Sequence, residues 1–139
     1  MMIKTINEVQ NAIIEEFSSL TDWMDKYEYL IELGRDLDPF DVKCKKDEYL
    51  IEGCQSKVWV CAAKSGDEII YSADSDAIIT KGMISLLIRV FSGQKPADVA
   101  IADLYFIEKI GLKENLSPIR SNGLLSMIRK MKLLALELE

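Results

Sequence analysis

The sequence predicts an α+β protein in which a small antiparallel sheet in the middle of the chain packs against N- and C-terminal helices. Apolar residues recur at helical spacing over residues 3–18 and again after Pro118. Between these ends, the apolar run 58–63 and the strand-like residues 68–72 flank a Ser-Gly-Asp turn, which predicts a hairpin. No linker, repeat or low-complexity tract appears, so we expect one domain over residues 1–139.

Two helices and a connector precede the predicted hairpin. After the first helix, Thr21 is a suitable N-cap for a second helix, and Gly34 suits the C-terminal end of that helix. Residues 35–47 are polar and aperiodic, which indicates a connector. Residues 48–52 predict a short strand, and the uninterrupted apolar run 58–63 predicts a strand covered on both faces.

A long apolar helix is expected directly after the hairpin. The triplet Asp74-Ser75-Asp76 offers capping residues, and apolar side chains on nearly every face to about Phe91 place this helix at the centre of the domain, against the sheet. Gly82 predicts close packing against another backbone, because glycine in a helix costs about 1 kcal/mol relative to alanine. Further helices are expected at 96–101, at 103–111 closed by Gly111, and from Pro118 with Ser117 as its N-cap.

Composition excludes several classes of function. The net charge of −6 and the pI near 4.8 argue against a nucleic-acid partner. The chain has no histidine, so a Ser-His-Asp triad, a zinc-binding HExxH helix and a histidine pH switch are excluded. Neither GxGxxG nor the P-loop pattern occurs, so no local motif supports nucleotide binding.

Hydropathy and cysteine usage set the expected location and redox state. No apolar segment reaches the length of a membrane span, and the N-terminus lacks the apolar run of a signal peptide, so we expect a cytoplasmic protein that contacts no membrane. Three cysteines in that setting are more typical of reduced thiols than of disulfides. Their positions, 44, 54 and 61, match structural zinc sites poorly, so we expect no metal.

Cys54 is the first candidate functional residue. It follows Gly53 before the apolar strand, and without a histidine to act as base its chemistry is limited to what a thiolate does alone. Exchange between a thiol and another sulfur meets that limit. Gln55 and Ser56 could donate hydrogen bonds to the sulfur, and Lys57 could lower the pKa of the thiol. An inert buried cysteine is the alternative.

Three further residues, Cys44, Cys61 and Arg120, are considered beside Cys54 as functional residues. Cys44 lies among three lysines, so local charge favours its thiolate more than that of Cys54, although it also fits an incidental surface thiol. Cys61 lies within the apolar strand and is expected in the core. Arg120 falls in the first turn of the last helix, where the dipole disfavours a cation. It therefore either has a partner elsewhere or is a surface arginine paired with an acid.

Four motifs, in order and over nearly the whole chain, resemble the SufE family of sulfur-acceptor proteins. They are residues 26–34 after Trp23, Gly53-Cys54-Gln55-Ser56 before Val58-Trp59, residues 74–77 before Lys81-Gly82, and residues 116–118 before Arg120-Ser121 and Gly123-Leu124. The family fold is α+β and is similar to that of IscU-type cluster scaffolds. The resemblance therefore implies a SufE/IscU-like fold in which the cysteine loop sits in an apolar hollow.

The resemblance also implies a role in iron–sulfur cluster assembly. The cysteine of the GCQS motif, here Cys54, would accept sulfane sulfur from the persulfide of a PLP-dependent cysteine desulfurase, stimulate that enzyme, and pass the sulfur to a cluster scaffold protein. Asp76 and Arg120 match the aspartate of the DSD segment and the arginine of the SPxR segment, and would position the loop or dock the desulfurase. PLP would belong to the partner. This chain would then need no cofactor, would act as a sulfur-transfer accessory protein and not as an enzyme, and would be a monomer or a weak homodimer.

Two departures from the family pattern, and two alternatives, stand beside this interpretation. Lys57 occupies a position where the family more often has glutamine. Cys44 and Cys61 are additional thiols, and Cys44 could accept sulfur in a side reaction or resolve a persulfide on Cys54.

The first alternative function is an IscU-like cluster scaffold, in which three cysteines bind iron and a fourth ligand comes from elsewhere. The second is an adaptor that activates the desulfurase by docking and carries no sulfur.

Overall fold

The computed structural model describes residues 4–38, 40, 44–51 and 56–139. These residues form an α+β fold, as predicted, in which helices precede and follow a two-stranded antiparallel sheet along the chain. The elements are α1 (Ile6–Ser18), α2 (Trp23–Arg35), a 3₁₀ turn (Asp47–Tyr49), β1 (Val58–Ser65), β2 (Glu68–Ser75), α3 (Ile78–Phe91), α4 (Pro96–Ile101), α5 (Phe106–Lys109), α6 (Leu112–Asn115) and α7 (Pro118–Glu137). No helix in this described part is long and apolar enough to cross a membrane.

The predicted hairpin is present, and its two faces differ in burial. Val58 and Val60 of β1 are fully buried, whereas Trp59 and Cys61 on the opposite face are half-buried. The predictions of a strand covered on both faces, and of Cys61 in the core, are therefore wrong. Side chains alternate along a strand, and the helices that contact this sheet bury residues 58 and 60 and leave the opposite face partly open.

Helix α3 lies at the centre of the fold, as its apolar sequence predicts. It packs against α2 and β2, and it also contacts α1 and α7. Ile84, Leu87, Val90 and Phe91 are fully buried within it. Because burying one such side chain stabilises a protein by about 1.5–3 kcal/mol, the contacts of α3 are a main contribution to the stability of the fold.

Helices α2 and α3 approach so closely that two glycines are required at their contact. A Cβ on Gly82 would lie 2.1 Å from the carbonyl oxygen of Leu30, and a Cβ on Gly34 would lie 2.8 Å from the backbone nitrogen of Gly82. The prediction that Gly82 packs against another backbone is confirmed. Gly34 does not end its helix as predicted, because α2 continues to Arg35 and this glycine serves the helix contact.

Several element boundaries differ from the sequence predictions. The N-cap of α2 is Asp22, whose carboxylate accepts a backbone N–H at 3.3 Å, and not Thr21. Asp74 and Ser75 belong to β2, and Ala77 is the N-cap of α3. The polar triplet 74–76 therefore ends a strand instead of capping a helix, because pairing with β1 continues to Ser75.

The expected strand at 48–52 and the expected helix at 103–111 also differ. Residues 47–49 form the 3₁₀ turn, and Leu50 makes an isolated bridge with Trp59 of β1; Glu52 lies outside the described residues. Within the predicted range 103–111 only α5 is helical, and Gly111, with a φ of +84°, follows its end as predicted; α6 begins after this range. The N-cap of α7 is confirmed, because the Ser117 hydroxyl accepts the Arg120 N–H at 3.3 Å.

A surface ion pair joins α1 to α3. The Arg89 guanidinium donates to both carboxylate oxygens of Glu16, and the Tyr29 hydroxyl on α2 donates to the same carboxylate at 2.6 Å. The Arg89 hydrogen bonds, followed by that from Tyr29, hold the pKa of Glu16 below its ordinary value of 4.5 although burial opposes the shift. Burial and the Glu16 hydrogen bond raise the pKa of Tyr29 to about 12.

Replacing Gly82 with alanine should lower the free energy of unfolding by about 3 kcal/mol or more, because the new methyl group overlaps the Leu30 carbonyl. In a helix without this contact, the same change would raise the free energy of unfolding by about 1 kcal/mol. The sign of the measured change therefore shows whether the contact is present. Gly93→Ala is the matched control. Gly93 has a φ of +86° and open space around it, so this change should cost only about 1 kcal/mol in urea unfolding. A stabilised Gly82→Ala protein would contradict the contact.

Glu16→Gln should lower the free energy of unfolding at neutral pH by up to about 1 kcal/mol, and this difference should shrink as the pH falls below 4.5. The folded-state pKa of Glu16 is depressed, so its contribution is present above pH 4.5 and is lost as the pH falls through the folded-state pKa. Urea unfolding across this range measures the difference, and the exposed neighbour Glu15→Gln is the control. A constant difference at every pH would contradict this assignment.

Candidate functional site

The candidate Cys54 lies outside the described residues, together with Gly53 and Gln55. Ile51 precedes this segment and Ser56 follows it, and both are described. The site can therefore be built from the structure on the two sides of residues 52–55.

The N-terminal side of this segment is attached to the start of β1. The Ile51 N–H donates to the Val58 carbonyl oxygen at 2.9 Å, and Leu50 bridges Trp59. Ile51 is only 6% exposed, so its side chain also anchors this part of the chain in the core. Residues 50 and 51 are thus fixed beside the strand that begins after the candidate cysteine.

Asp76 attaches the C-terminal side to the end of β2. Its carboxylate accepts the Lys57 N–H at 3.0 Å, and its own N–H donates to the Lys57 carbonyl oxygen at 3.2 Å. The Ser75 hydroxyl donates to the same carbonyl oxygen at 2.9 Å. These bonds extend the hairpin one residue beyond the pair formed by Val58 and Ser75, so Asp76 positions the chain that leaves the candidate cysteine.

A small cavity opens next to Ser56, between the N-terminal ends of α3 and α7. Its volume is about 110 Å³, and its walls include Thr80 and Arg120. Met83 and Met127 also line it and are each 1% exposed. Since one water needs roughly 10–15 Å³ of such volume, the cavity has room for a small side chain or sulfur group.

Arg120 lines this cavity and lies over an aromatic ring of α2. Its guanidinium carbon is 5.9 Å from the centre of the Tyr27 ring, within cation–π distance, and Tyr27 packs edge-on against Trp23. Among the residues that the structure describes, no carboxylate forms an ion pair with Arg120 within 4.0 Å. Among the described residues the contact of this cation is therefore the ring of Tyr27, which the sequence analysis includes only in the motif at 26–34.

Asp74 has contacts that sequence reasoning missed. Its carboxylate pairs with Lys45 at 2.9 Å and with Lys81 at 3.2 Å, and the Lys45 ammonium lies 5.4 Å from the centre of the Trp59 ring. Burial raises the pKa of Asp74, but hydrogen bonds from Lys45, the Ser75 N–H and Lys81 hold it below the ordinary value of 3.8. Asp74 thus ties the connector before β1 to the hairpin and α3.

The other two cysteines, Cys44 and Cys61, are only partly buried and affect the pKa of Tyr49. Cys44 and Cys61 are both half-buried. The negative charge of Glu48, then that of an ionised Cys61, burial and an ionised Cys44 raise the pKa of Tyr49. Lys45, one of the lysines that favoured Cys44 on sequence grounds, pairs with Asp74. Within the described ranges, no three carboxylate or thiol groups cluster so as to hold a metal ion.

Comparison with known proteins identifies the family. The family model described as "SufE: Fe-S metabolism associated domain" matches residues 11–135. Uncharacterised SufE-like proteins of Rhizobium etli and Rhizobium meliloti are 39% and 38% identical over 127 residues, which cover 88% of this chain and 86% and 91% of theirs. The chain therefore belongs to the SufE family, and this membership links it to iron–sulfur metabolism and supports a role in cluster assembly.

Two further comparisons concern domain length and fold. SufE-like protein 1, chloroplastic/mitochondrial, of Arabidopsis thaliana is 39% identical over 128 residues, which cover 91% of this chain but 34% of that protein. The solution structure of a hypothetical protein from Thermus thermophilus matches 93% of this chain and 94% of its own with a TM-score of 0.77. At 21% identity this structure shows a shared fold, and it confirms the expected fold class.

Asp76→Ala should remove the acceptor for the Lys57 N–H and lower the free energy of unfolding by about 1 kcal/mol. The more specific result is faster hydrogen exchange at the Lys57 amide, measured by NMR. Asp76→Asn keeps an oxygen acceptor at the same place, so it should restore most of the protection. Unchanged exchange in Asp76→Ala would contradict the positioning role.

Proposed function

We propose that this protein is a sulfur acceptor that takes sulfane sulfur from a cysteine desulfurase persulfide onto Cys54 and passes it to an iron–sulfur cluster scaffold. The observation that supports this most directly is the combination of fixed residues on both sides of residues 52–55 and a neighbouring cavity. Ile51 and Lys57 are fixed to the hairpin on either side of residues 52–55, and Ser56 lines a cavity of about 110 Å³ beside Arg120. A persulfide is best held in such a setting, because exposed sulfane sulfur exchanges with other thiols.

The transfer step uses the thiolate of Cys54 and needs no cofactor on this chain. The thiolate attacks the outer sulfur of the donor persulfide, a new S–S bond forms at Cys54, and the donor cysteine leaves as a thiolate. A scaffold thiolate then takes the outer sulfur by the same exchange, which returns Cys54 to its starting state. PLP would serve the desulfurase, and this chain acts as an accessory to that enzyme.

Arg120 supplies positive charge beside the cavity. A cation close to a sulfur favours its thiolate or persulfide anion, and the Tyr27 ring keeps the guanidinium in place. Asp76 acts one step further away, since it holds the backbone of Lys57 and does not line the cavity. In this proposal Arg120 is an electrostatic residue and Asp76 is a positioning residue.

Cys54→Ser should fold normally and lose all stimulation of desulfurase turnover, whereas Cys44→Ser should retain most of it. After wild-type protein is mixed with a cysteine desulfurase and cysteine, intact-mass measurement and peptide mapping should find an adduct of about 32 Da on the Cys54 peptide. A reducing thiol should remove it, because a persulfide exchanges with thiols.

Three other outcomes would each overturn the relay. Full stimulation by the Cys54→Ser protein without an adduct would indicate an adaptor that only docks. An adduct on Cys44 would mean that its neighbouring lysines select the acceptor. Visible absorption after anaerobic reconstitution with iron and sulfide, abolished by Cys61→Ser, would indicate a cluster scaffold.

A further inference from the structure

A second open space adjoins the described residues that precede residues 52–55. A groove of about 510 Å³ runs between the 3₁₀ turn and the outer face of α7, with Leu50, Ile51 and Leu133 providing apolar surface. Ile51 is the last described residue before the segment that contains Cys54, whereas the cavity at Arg120 adjoins Ser56, after it. Helix α7 contributes to both spaces, and the groove adjoins the last described residue before Cys54 and the cavity adjoins the first described residue after it.

The two walls of this groove carry opposite charges. Asp47 and Glu48 stand on the wall formed by the 3₁₀ turn, and Arg129 and Lys130 stand on the wall formed by α7. Within the described part of the chain, neither cation has a carboxylate oxygen within 4.0 Å. The groove therefore holds two carboxylates and two cations apart across a space that is large enough for a small ligand.

We propose that this groove binds a zwitterionic low-molecular-weight thiol, that is, an amino-acid or short-peptide thiol with one ammonium group and at least one carboxylate. Arg129 and Lys130 would pair with the carboxylate, and Asp47 and Glu48 with the ammonium group. Leu50 and Leu133 would contact the aliphatic part. A ligand with charge of only one sign would leave one wall unpaired, so the arrangement selects a zwitterion.

The inference rests on the proposed function of Cys54 and adds a recipient to it. The thiolate of the bound ligand attacks the outer sulfur of the Cys54 persulfide, and the S–S bond at Cys54 breaks. Cys54 leaves as a thiolate, and the ligand leaves as a persulfide that keeps the proton of the outer sulfur. The exchange is redox-balanced within the two reactants and needs no oxidant.

Binding is tested separately from transfer with an unreactive probe, S-methylglutathione. Titration followed by amide NMR should give saturable shifts at Leu50, Ile51, Lys130 and Leu133. The double variant R129E/K130E should weaken binding at least tenfold, because it reverses the charge of both residues that would pair with the ligand carboxylate. The control K64E/K95E makes the same change in net charge at exposed positions away from the groove, and it should bind as the wild type does.

Two results of this titration would overturn the inference. One is the absence of saturable shifts at these four amides in the wild-type protein. The other is equal weakening by the groove variant and the control, which would show a response to net charge alone. Circular dichroism melting of each variant checks that the fold is retained.

Transfer is tested on protein whose Cys54 already carries the adduct of about 32 Da. The rate at which glutathione removes the adduct should saturate with glutathione concentration in the wild type and become linear in R129E/K130E. Uncharged 2-mercaptoethanol should react equally with both. Failure to load the adduct would overturn the proposed function, whereas normal loading with an unsaturable rate in the wild type would overturn the groove inference alone.

Discussion

The backbone contact between α2 and α3 at Gly82 is the constraint on which the rest of the fold depends. Because Gly82 has no Cβ, α3 can lie against the Leu30 carbonyl of α2 and present its remaining faces to the hairpin and to α7. Thr80 and Met83, within one turn of that glycine, line the cavity beside Ser56. A wider separation of the two helices would move these residues, so packing deep in the core sets the shape of the candidate site.

Helix α7 connects the core to both the cavity at Ser56 and the groove at Ile51. Met127 and Met131 are buried on its inner face, Arg120 reaches the cavity, and Arg129 and Lys130 form one wall of the groove. A helix 20 residues long is rigid over the roughly 30 Å that this length spans, so it holds the two sets of cations at a fixed separation. The cavity at Ser56 and the groove at Ile51 therefore differ chemically although both adjoin the same helix.

The features that were predictable from the sequence depend on residues close together in the chain. The cap formed by Ser117 and Pro118 needs only the first turn of α7, and the hairpin needs a turn between two short apolar runs. The predictions that were wrong concern residues whose partners lie far away in the chain. Residues 74–76 have the composition of a helix cap, but pairing with β1 makes Asp74 and Ser75 part of a strand. The polarity of Asp74 gives no indication that Lys45 and Lys81 converge on it.

The sequence by itself determined the α+β class, the central apolar helix, the exclusion of histidine-dependent chemistry, and the family resemblance carried by its motifs. Each of these follows from composition, periodicity or short motifs. Only the tertiary structure decided that Arg120 lies over the Tyr27 ring, that Asp76 holds the backbone of Lys57, and that Cys61 lies on the partly open face of the hairpin. These facts join residues that are far apart in the chain, and the packing of helices on a two-stranded sheet, which local patterns do not encode, brings them together.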